Sequence, residues 1–303
     1  MTWRHWTDWA KKRPATLHLA DWLGRGRGRF RVLDRLNPPA AAPIKPALEN
    51  WEKNDLATMW IGHATILLRI GEMTVITDPV LSNRVGVGLG LMTGGPRRLI
   101  APALRLKELP KIDLILISHA HFDHLDRPTL DRFDKSIPVV AAGQTRDLIK
   151  DLGFQTVDEL NWGESLQVKS LKITARKVAH WGARTFYDQH RGFNAYLVES
   201  PKHRVLYGGD TAYHSWFRDI GKVDLAIFGI GAYDPYIAAH ATPEQALAMA
   251  DDVKAERILP MHHSTFRLSH EPVHEPIERL MAALGSNPGR VALSEVGQEW
   301  IAS

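Results

Sequence analysis

The sequence predicts a layered sandwich of strands and helices, α+β in class, and three observations carry that reading. From Trp51 onward, short apolar runs closed by glycine or polar turns follow one another, as hairpin-linked strands do. The run "IDLILIS" (112–118) is apolar throughout, which fits a strand covered on both faces. Helical stretches alternate with strands only later in the chain. Sheet first and mixed elements afterwards argue against a purely parallel barrel.

The first 50 residues read as an N-terminal arm, and residues 51–303 as one domain. Met1 to Arg35 hold nine Lys or Arg against three Asp, a surplus of six. The whole chain carries +4, so the remainder is close to −2. Trp3, Trp6 and Trp9 share one face of a helix, with basic residues following. That combination suits an anionic lipid surface, which would make the protein membrane-peripheral. Packing against the domain, or in the subunit contact of a homo-oligomer, is the favoured alternative, because aromatic stripes usually bury. "GRGRGRFR" (24–31) is too short, and too poor in aromatics, for a nucleic-acid site, so no nucleic-acid partner is expected. "NPPAAAPIKP" (37–46) is read as a linker, because each proline removes a donor and fixes φ.

Within the domain, "ATMWIG", "ATILLRI" and "MTVITD" (57–78) read as a β-meander with tight turns. "TRDLIKDLG" (145–153) reads as a helix closed by glycine. "SLKITARKV", "NAYLVE", "RVLYGG", "DLAIFGI" and "RILPM" are strands. "TPEQALAMADDV" (242–253) opens as a helix should, with Thr242, then Pro243, then Glu244 in the first turn.

Composition narrows the chemistry. The 303 residues are 44% hydrophobic and 24% charged, ordinary for a soluble globular protein. The absence of cysteine excludes disulfides, thiolate ligands and a catalytic thiol, so any metal must be held by His and carboxylate. There is no apolar run of about 18 residues and no compact signal-peptide core, which makes a cytoplasmic location the expectation.

The run "LISHAHFDHLD" (116–126) contains His119-Ala-His121-Phe-Asp123-His124. Given this chain's His and Asp content, that spacing would arise by accident on the order of 3 times in 1,000. On extended backbone, residues two apart share a face, so His119 and His121 can reach one metal where the strand leaves the sheet. Asp123 and His124, after the turn, can reach a second. Imidazole and carboxylate suit Zn²⁺, and two adjoining sites suit hydrolysis. Three other strands end in ligand types: His180 after "LKITARKVA", Asp210 after "RVLYGG" and His262 after "RILPM". If those strands share one sense, all meet at one rim. His119, His121 and His180 would then hold one ion, and Asp123, His124 and His262 the other, with Asp210 as bridge.

The other histidines weigh less. His263 should point away from His262 on extended backbone. His5, His18, His190, His203, His214, His270 and His274 lie in polar surroundings and read as solvated. His63, in the turn "IGHAT", and His240, ahead of the helix start, could be second-layer, substrate-facing or turn residues. Arg97 and Arg98 could contact phosphate or form a solvated pair.

These residues resemble the metallo-β-lactamase superfamily and, within it, the phospholipase D-like branch that hydrolyses N-acyl phosphatidylethanolamines. "WIGHATILLRIGEMTVITDPVLS", "GPRRLIAPALRLKELPKIDLILISHAHFDHLD", "VAHWGARTFYD", "GGDTAYH", "GIGAYDP" and "HATPEQALAM…ILPMHHSTF" carry the likeness from about Trp51 to Phe266. It implies a four-layer αβ/βα sandwich and two zinc ions per chain. His119, His121, His180 and Asp210 match the ligands of the first, and Asp123, His124, Asp210 and His262 those of the second. Asp78, in "ITDP", matches an acidic residue that supports the metal loop, and His240 a histidine near the substrate. His263-Ser264 stands where the family commonly has Trp-Gly, and the N-terminal arm differs as well. The expected activity is hydrolysis of small-molecule or lipid phosphodiesters by zinc-activated water, with Asp123 orienting the water and taking its proton. A lactone or amide hydrolase and a nuclease of the same fold are the alternatives. A di-iron redox protein is disfavoured, because that branch has Glu where His121 stands, and a non-enzymatic scaffold would not need a bridging carboxylate.

Overall fold

The computed structural model describes residues 38–49, 51–89, 92–185 and 187–302. The tryptophans and the Gly-Arg run of the arm lie outside the described residues. The chain begins with the expected antiparallel meander, β1 (Leu56–Gly62), β2 (Thr65–Ile70) and β3 (Met73–Thr77). A small hairpin apart from the main sheets follows, β4 (Val87–Leu89) with β5 (Met92–Gly94). Next, β6 (Leu114–Ile117), β7 (Val139–Ala142) and β8 (Val157–Leu160) extend the meander in parallel from β3.

The second sheet comprises β9 (Ser165–Val168), β10 (Leu171–Arg176), β11 (Ala195–Glu199), β12 (Arg204–Tyr207), β13 (Leu225–Gly229) and β14 (Arg257–Met261). β9 to β12 pair antiparallel, and β12 to β14 parallel. Finally β15 (Glu299–Ile301) returns to the edge of the first sheet beside β1.

Strand alternation explains how the sheets stack. Ile66, Leu68, Val75, Leu114 and Leu116 of the first sheet meet Ile173, Val198, Val205, Leu225 and Leu259 of the second. Each such burial contributes ~1.5–3 kcal/mol. Their neighbours turn outward: Ile76, Ile115 and Ile117 pack under Leu125, Leu130, Phe133 and Phe154. On the far side, Leu206, Ala226, Phe228 and Ile258 pack under α1 (Pro243–Asp252) and α2 (Glu275–Leu284). Both faces of both sheets are covered, so β1 and β3 are buried at every position instead of alternating.

The start of α1 is as expected, and Gln245 completes a capping box: its backbone N–H donates to Thr242 Oγ1 at 3.3 Å, while its side-chain oxygen accepts from Thr242 N at 3.0 Å. The stretch 145–153 forms only a single turn, Asp147–Lys150, before Gly153 takes φ +92°. β9 escapes sequence reading because it is a short edge strand whose inward residues, Leu166 and Val168, are only partly buried. The proline-rich segment lies along the domain: Ala40 N donates to Leu99 O, Ala101 N to Ala40 O and Ala47 N to Glu299 Oε1. Among the described residues, no helix is long and apolar enough to cross a membrane.

Two antiparallel pairings restore direction, so β10, β12, β13 and β14 run the same way, as do β3 and β6. Asp78, His119, His180, Asp210 and His262 all follow the C-terminal ends of these strands.

Candidate metal centre

Three imidazoles form the first cluster. His119 Nε2 lies 2.8 Å from His121 Nδ1, and His180 Nε2 lies 3.3 Å from that same atom. A second cluster gathers around Asp123 Oδ2, with His262 Nε2 at 3.4 Å, His124 Nε2 at 3.6 Å and His63 Nε2 at 3.0 Å. Asp210 Oδ2 stands between them, 3.0 Å from His124 Nε2 and 3.2 Å from His262 Nε2, and 3.9 and 3.8 Å from His119 and His180 Nε2. The structure thus brings together all seven residues expected as ligands. His240 is also present, its Nδ1 3.9 Å from Asp210 Oδ2.

The backbone is bent to make this possible. His63 and His262 are left-handed, at φ +57° and +62°, a costly conformation for residues with a Cβ. His63 is clamped there: its N–H donates to Thr265 Oγ1 at 2.8 Å, while its carbonyl accepts from Trp60 Nε1 at 2.8 Å and from His262 N at 3.2 Å. Gly209 leads into Asp210 at φ +56°, where a Cβ would sit 2.7 Å from Asn194 O and 2.9 Å from Ser118 Cβ. Only glycine lets the Asp210 loop approach the His119 loop this closely.

A layer of hydrogen bonds fixes the rings. Asp78 is fully buried; its Oδ2 lies 2.6 Å from His124 Nδ1 and accepts from Tyr207 Oη at 2.6 Å, and its Oδ1 accepts from Ser118 N at 2.7 Å. Ser118 Oγ donates to Asp78 Oδ2 at 2.5 Å, which leaves it to accept from His119 Nδ1 at 2.8 Å. His180 Nδ1 donates to Ala239 O at 3.0 Å. These bonds place a proton on Nδ1 of His119, His124 and His180 and turn each Nε2 inward.

The donor set fits metal ions. His262 Nδ1 and Asp210 Oδ1 are buried with no hydrogen-bond partner, and His124 Nε2 and His262 Nε2 face only the carboxylates of Asp123 and Asp210. A buried polar group left unpaired costs ~1–3 kcal/mol, which coordination would offset. The four-residue set His63, Asp123, His124 and His262 and the three-residue set His119, His121 and His180 each converge tightly enough to hold an ion.

Electrostatics divides the two clusters. Burial, reinforced by neighbouring imidazoles, holds His119 well below its ordinary value; burial lowers His121 to about 4 and His180 to about 3. For His124 burial acts the same way, but Asp210, Asp123 and Asp78 outweigh it and raise the ring well above its ordinary value. His262, against the same burial, is raised to about 9 by Asp210 and Asp123. Burial also opposes ionisation of Asp123 and Asp210, yet these two imidazoles hold both carboxyls well below the usual range. His63 is pushed down to about 3 by burial and by His262, so its neutral Nε2–H donates to Asp123.

Two readings of the sequence need correction, those of Arg98 and His214. Arg98 is not available to substrate: it is buried, and its guanidinium donates to Val80 O at 2.5 Å and Ser82 O at 3.1 Å. His214 is not solvated but buried, stacked on Trp216 with ring centroids 4.5 Å apart. His263 does turn away from the ligands, but into the interior, against Trp60 at 4.6 Å. Ser118 and Tyr207 are the residues that sequence reading misses, since the hydroxyl of a strand serine or tyrosine carries no spacing signal.

Residues 73–263 match the family described as beta-lactamase superfamily domain. An uncharacterized protein of Mycobacterium tuberculosis is 34% identical over 275 residues, covering 85% of this chain and 73% of that protein. The N-acyl-phosphatidylethanolamine-hydrolyzing phospholipase D 1 of Caenorhabditis elegans is 29% identical over 277 residues, covering 83% of this chain and 77% of its own length. Among solved structures, a possible metal-dependent hydrolase from Veillonella parvula superposes with a TM-score of 0.66 at 19% identity. That superposition covers 82% of this chain and all of the other, a likeness of fold.

Proposed function

Because this chain belongs to the metallo-β-lactamase superfamily, we propose that it is a zinc-dependent hydrolase of phosphodiesters, acting on N-acyl phosphatidylethanolamine-type lipids or related diesters. The observation that carries the reading is Asp210 Oδ2, placed between two ligand clusters of different charge. His119, His121 and His180 would hold one zinc ion and Asp123, His124 and His262 the other, with Asp210 shared. Bound there, two ions supply Lewis acidity for the phosphoryl oxygens and lower the pKa of a water.

The chain's own groups do the rest. Asp123 faces the centre, half-buried, and accepts the proton of the attacking water. His63 fixes which way Asp123 points, through the 3.0 Å bond to Oδ2. His240, whose Nδ1 lies 3.9 Å from Asp210 Oδ2, would meet the substrate's diester oxygens. Asp78, Ser118 and Ala239 hold the His124, His119 and His180 rings in register. Contact with a lipid surface through Met1–Arg35 is part of the proposal, and liposome binding of full-length protein against protein lacking those residues tests it.

The deciding experiment is turnover of zinc-loaded protein on an N-acyl phosphatidylethanolamine, on bis(p-nitrophenyl) phosphate and on an acyl lactone. Diester cleavage abolished by chelation and restored by zinc is expected. Lactone opening without diester cleavage would replace the phosphodiesterase reading with a carbonyl hydrolase.

A further inference from the structure

At the C-terminal end of β10 lies a cleft of about 360 Å³ that the hydrolytic machinery does not use. Its walls are two indoles, Trp162 and Trp216, with Arg176, Lys177 and Asp219 between them. Trp216 is 41% exposed, a large apolar surface that most folds would cover. Both walls are held in place. Trp162 Nε1 donates to Phe193 O at 2.7 Å. Trp216 rests on the buried His214 ring at an interplanar angle of 19°, and its backbone N–H donates to His214 Nδ1 at 3.1 Å. Burial, then the nearby Lys177 charge, lowers His214 to about 4, so the ring beneath Trp216 is neutral at physiological pH.

The charge in the cleft is uncompensated. Arg176 is paired with Asp219 at 2.6 Å. The Lys177 ammonium lies 4.1 Å from the Trp216 ring centroid and 5.4 Å from that of Trp162, and no carboxylate lies within ion-pair distance among the described residues. Cation–π contact orients the ammonium without neutralising it. Along the chain, Lys177 is three residues before His180, a span of at most about 11 Å.

We propose that this cleft is a binding subsite for an anionic amphiphile: a carboxylate or phosphate head on Lys177, with its apolar body between the two indoles. The site is separate from the metal ligands and does not depend on which bond the centre hydrolyses.

Binding is read directly on full-length, metal-stripped protein by isothermal titration, with octyl phosphate and octanoate as probes and inorganic phosphate and octanol as half-probes. Both amphiphiles should bind, and each half-probe at least tenfold more weakly. Tighter binding of one amphiphile identifies the head as phosphate or carboxylate. Lys177→Met should weaken amphiphile binding about tenfold and leave octanol unchanged, whereas Lys177→Arg should retain it. Trp216→Ala should weaken the amphiphiles and octanol alike. No measurable binding, binding of octanol as tight as that of octyl phosphate, or wild-type affinity in Lys177→Met would each overturn the proposal. If Lys177→Met fails to fold, the half-probes on the wild-type protein still decide.

Discussion

The two halves of the metal centre are built from similar residues but reach opposite electrostatic states. The His119, His121 and His180 half is a set of neutral rings, kept so by burial, with nothing to lose when a cation arrives. The Asp123, His124 and His262 half is already an internal ion network, in which two imidazoles carry protons because two carboxylates surround them. The first half is therefore preorganised for a metal, and the second must exchange protons for one. Geometry alone would not separate them.

The largest effect should come from the residue both halves share. Asp210→Asn removes the charge between the clusters, and turnover should fall more than about 100-fold, beyond what loss of an outer partner costs. Metal analysis should find the Asp123 half depleted first, because Asp210 Oδ2 lies within 3.2 Å of both of its imidazoles and no closer than 3.8 Å to His119 and His180. Equal loss from both halves would erase the distinction.

Asp78→Asn comes next. It weakens the bond to His124 Nδ1 and presents an amide to Ser118 and Tyr207. Metal affinity of the Asp123 half should drop about 10- to 100-fold. The other half, which reaches Asp78 only through Ser118, should change less. Competition with a chromophoric chelator resolves the two steps.

How far this division is legible in the sequence depends on what each contact needs. The H-x-H-x-D-H spacing is local, and His180, Asp210 and His262 are found because strand ends in one sense converge. The meander and the capped helix are legible for the same local reasons. Contacts that cross the sandwich are not. His63 meets Asp123 from 60 residues away, and Tyr207 meets Asp78 from 129, each requiring the register of both sheets. Arg98 reads as a phosphate contact because charge implies exposure, whereas here the carbonyls of Ser82 and Val80 hold its Nε and Nη2 inside the fold. The state of each imidazole depends on how many carboxylates surround it, which spacing does not encode.

pH separates the halves more gently. In the metal-free fold His262 is raised to about 9, so the stability it contributes is complete below about pH 6.5 and is lost as pH rises through about 9. A metal entering that half must displace this proton and that of His124, so its apparent affinity should rise by at least about tenfold per pH unit up to about 9. The three-imidazole half, with folded values of about 4 or below for His121 and His180, should show no such slope above neutrality. Bound metal per chain, measured after dialysis, should fall in one step confined to the Asp123 half as pH is lowered from about 9 to about 6.

The smallest effect tests whether the scaffold and the centre can be separated. Thr242 caps α1 two residues after His240, and its hydroxyl accepts the Gln245 N–H. Thr242→Ala should cost about 1 kcal/mol of stability, read as a lowered midpoint in denaturant. His240 makes no hydrogen bond through that cap: its N–H donates to Tyr236 O, inside the preceding turn. Metal content should therefore stay at the wild-type value while the midpoint moves. A loss of metal in step with the lost stability would mean that the rim around Asp210 is held by the helix start, and that the two halves of the centre differ in mechanical support as well as in charge.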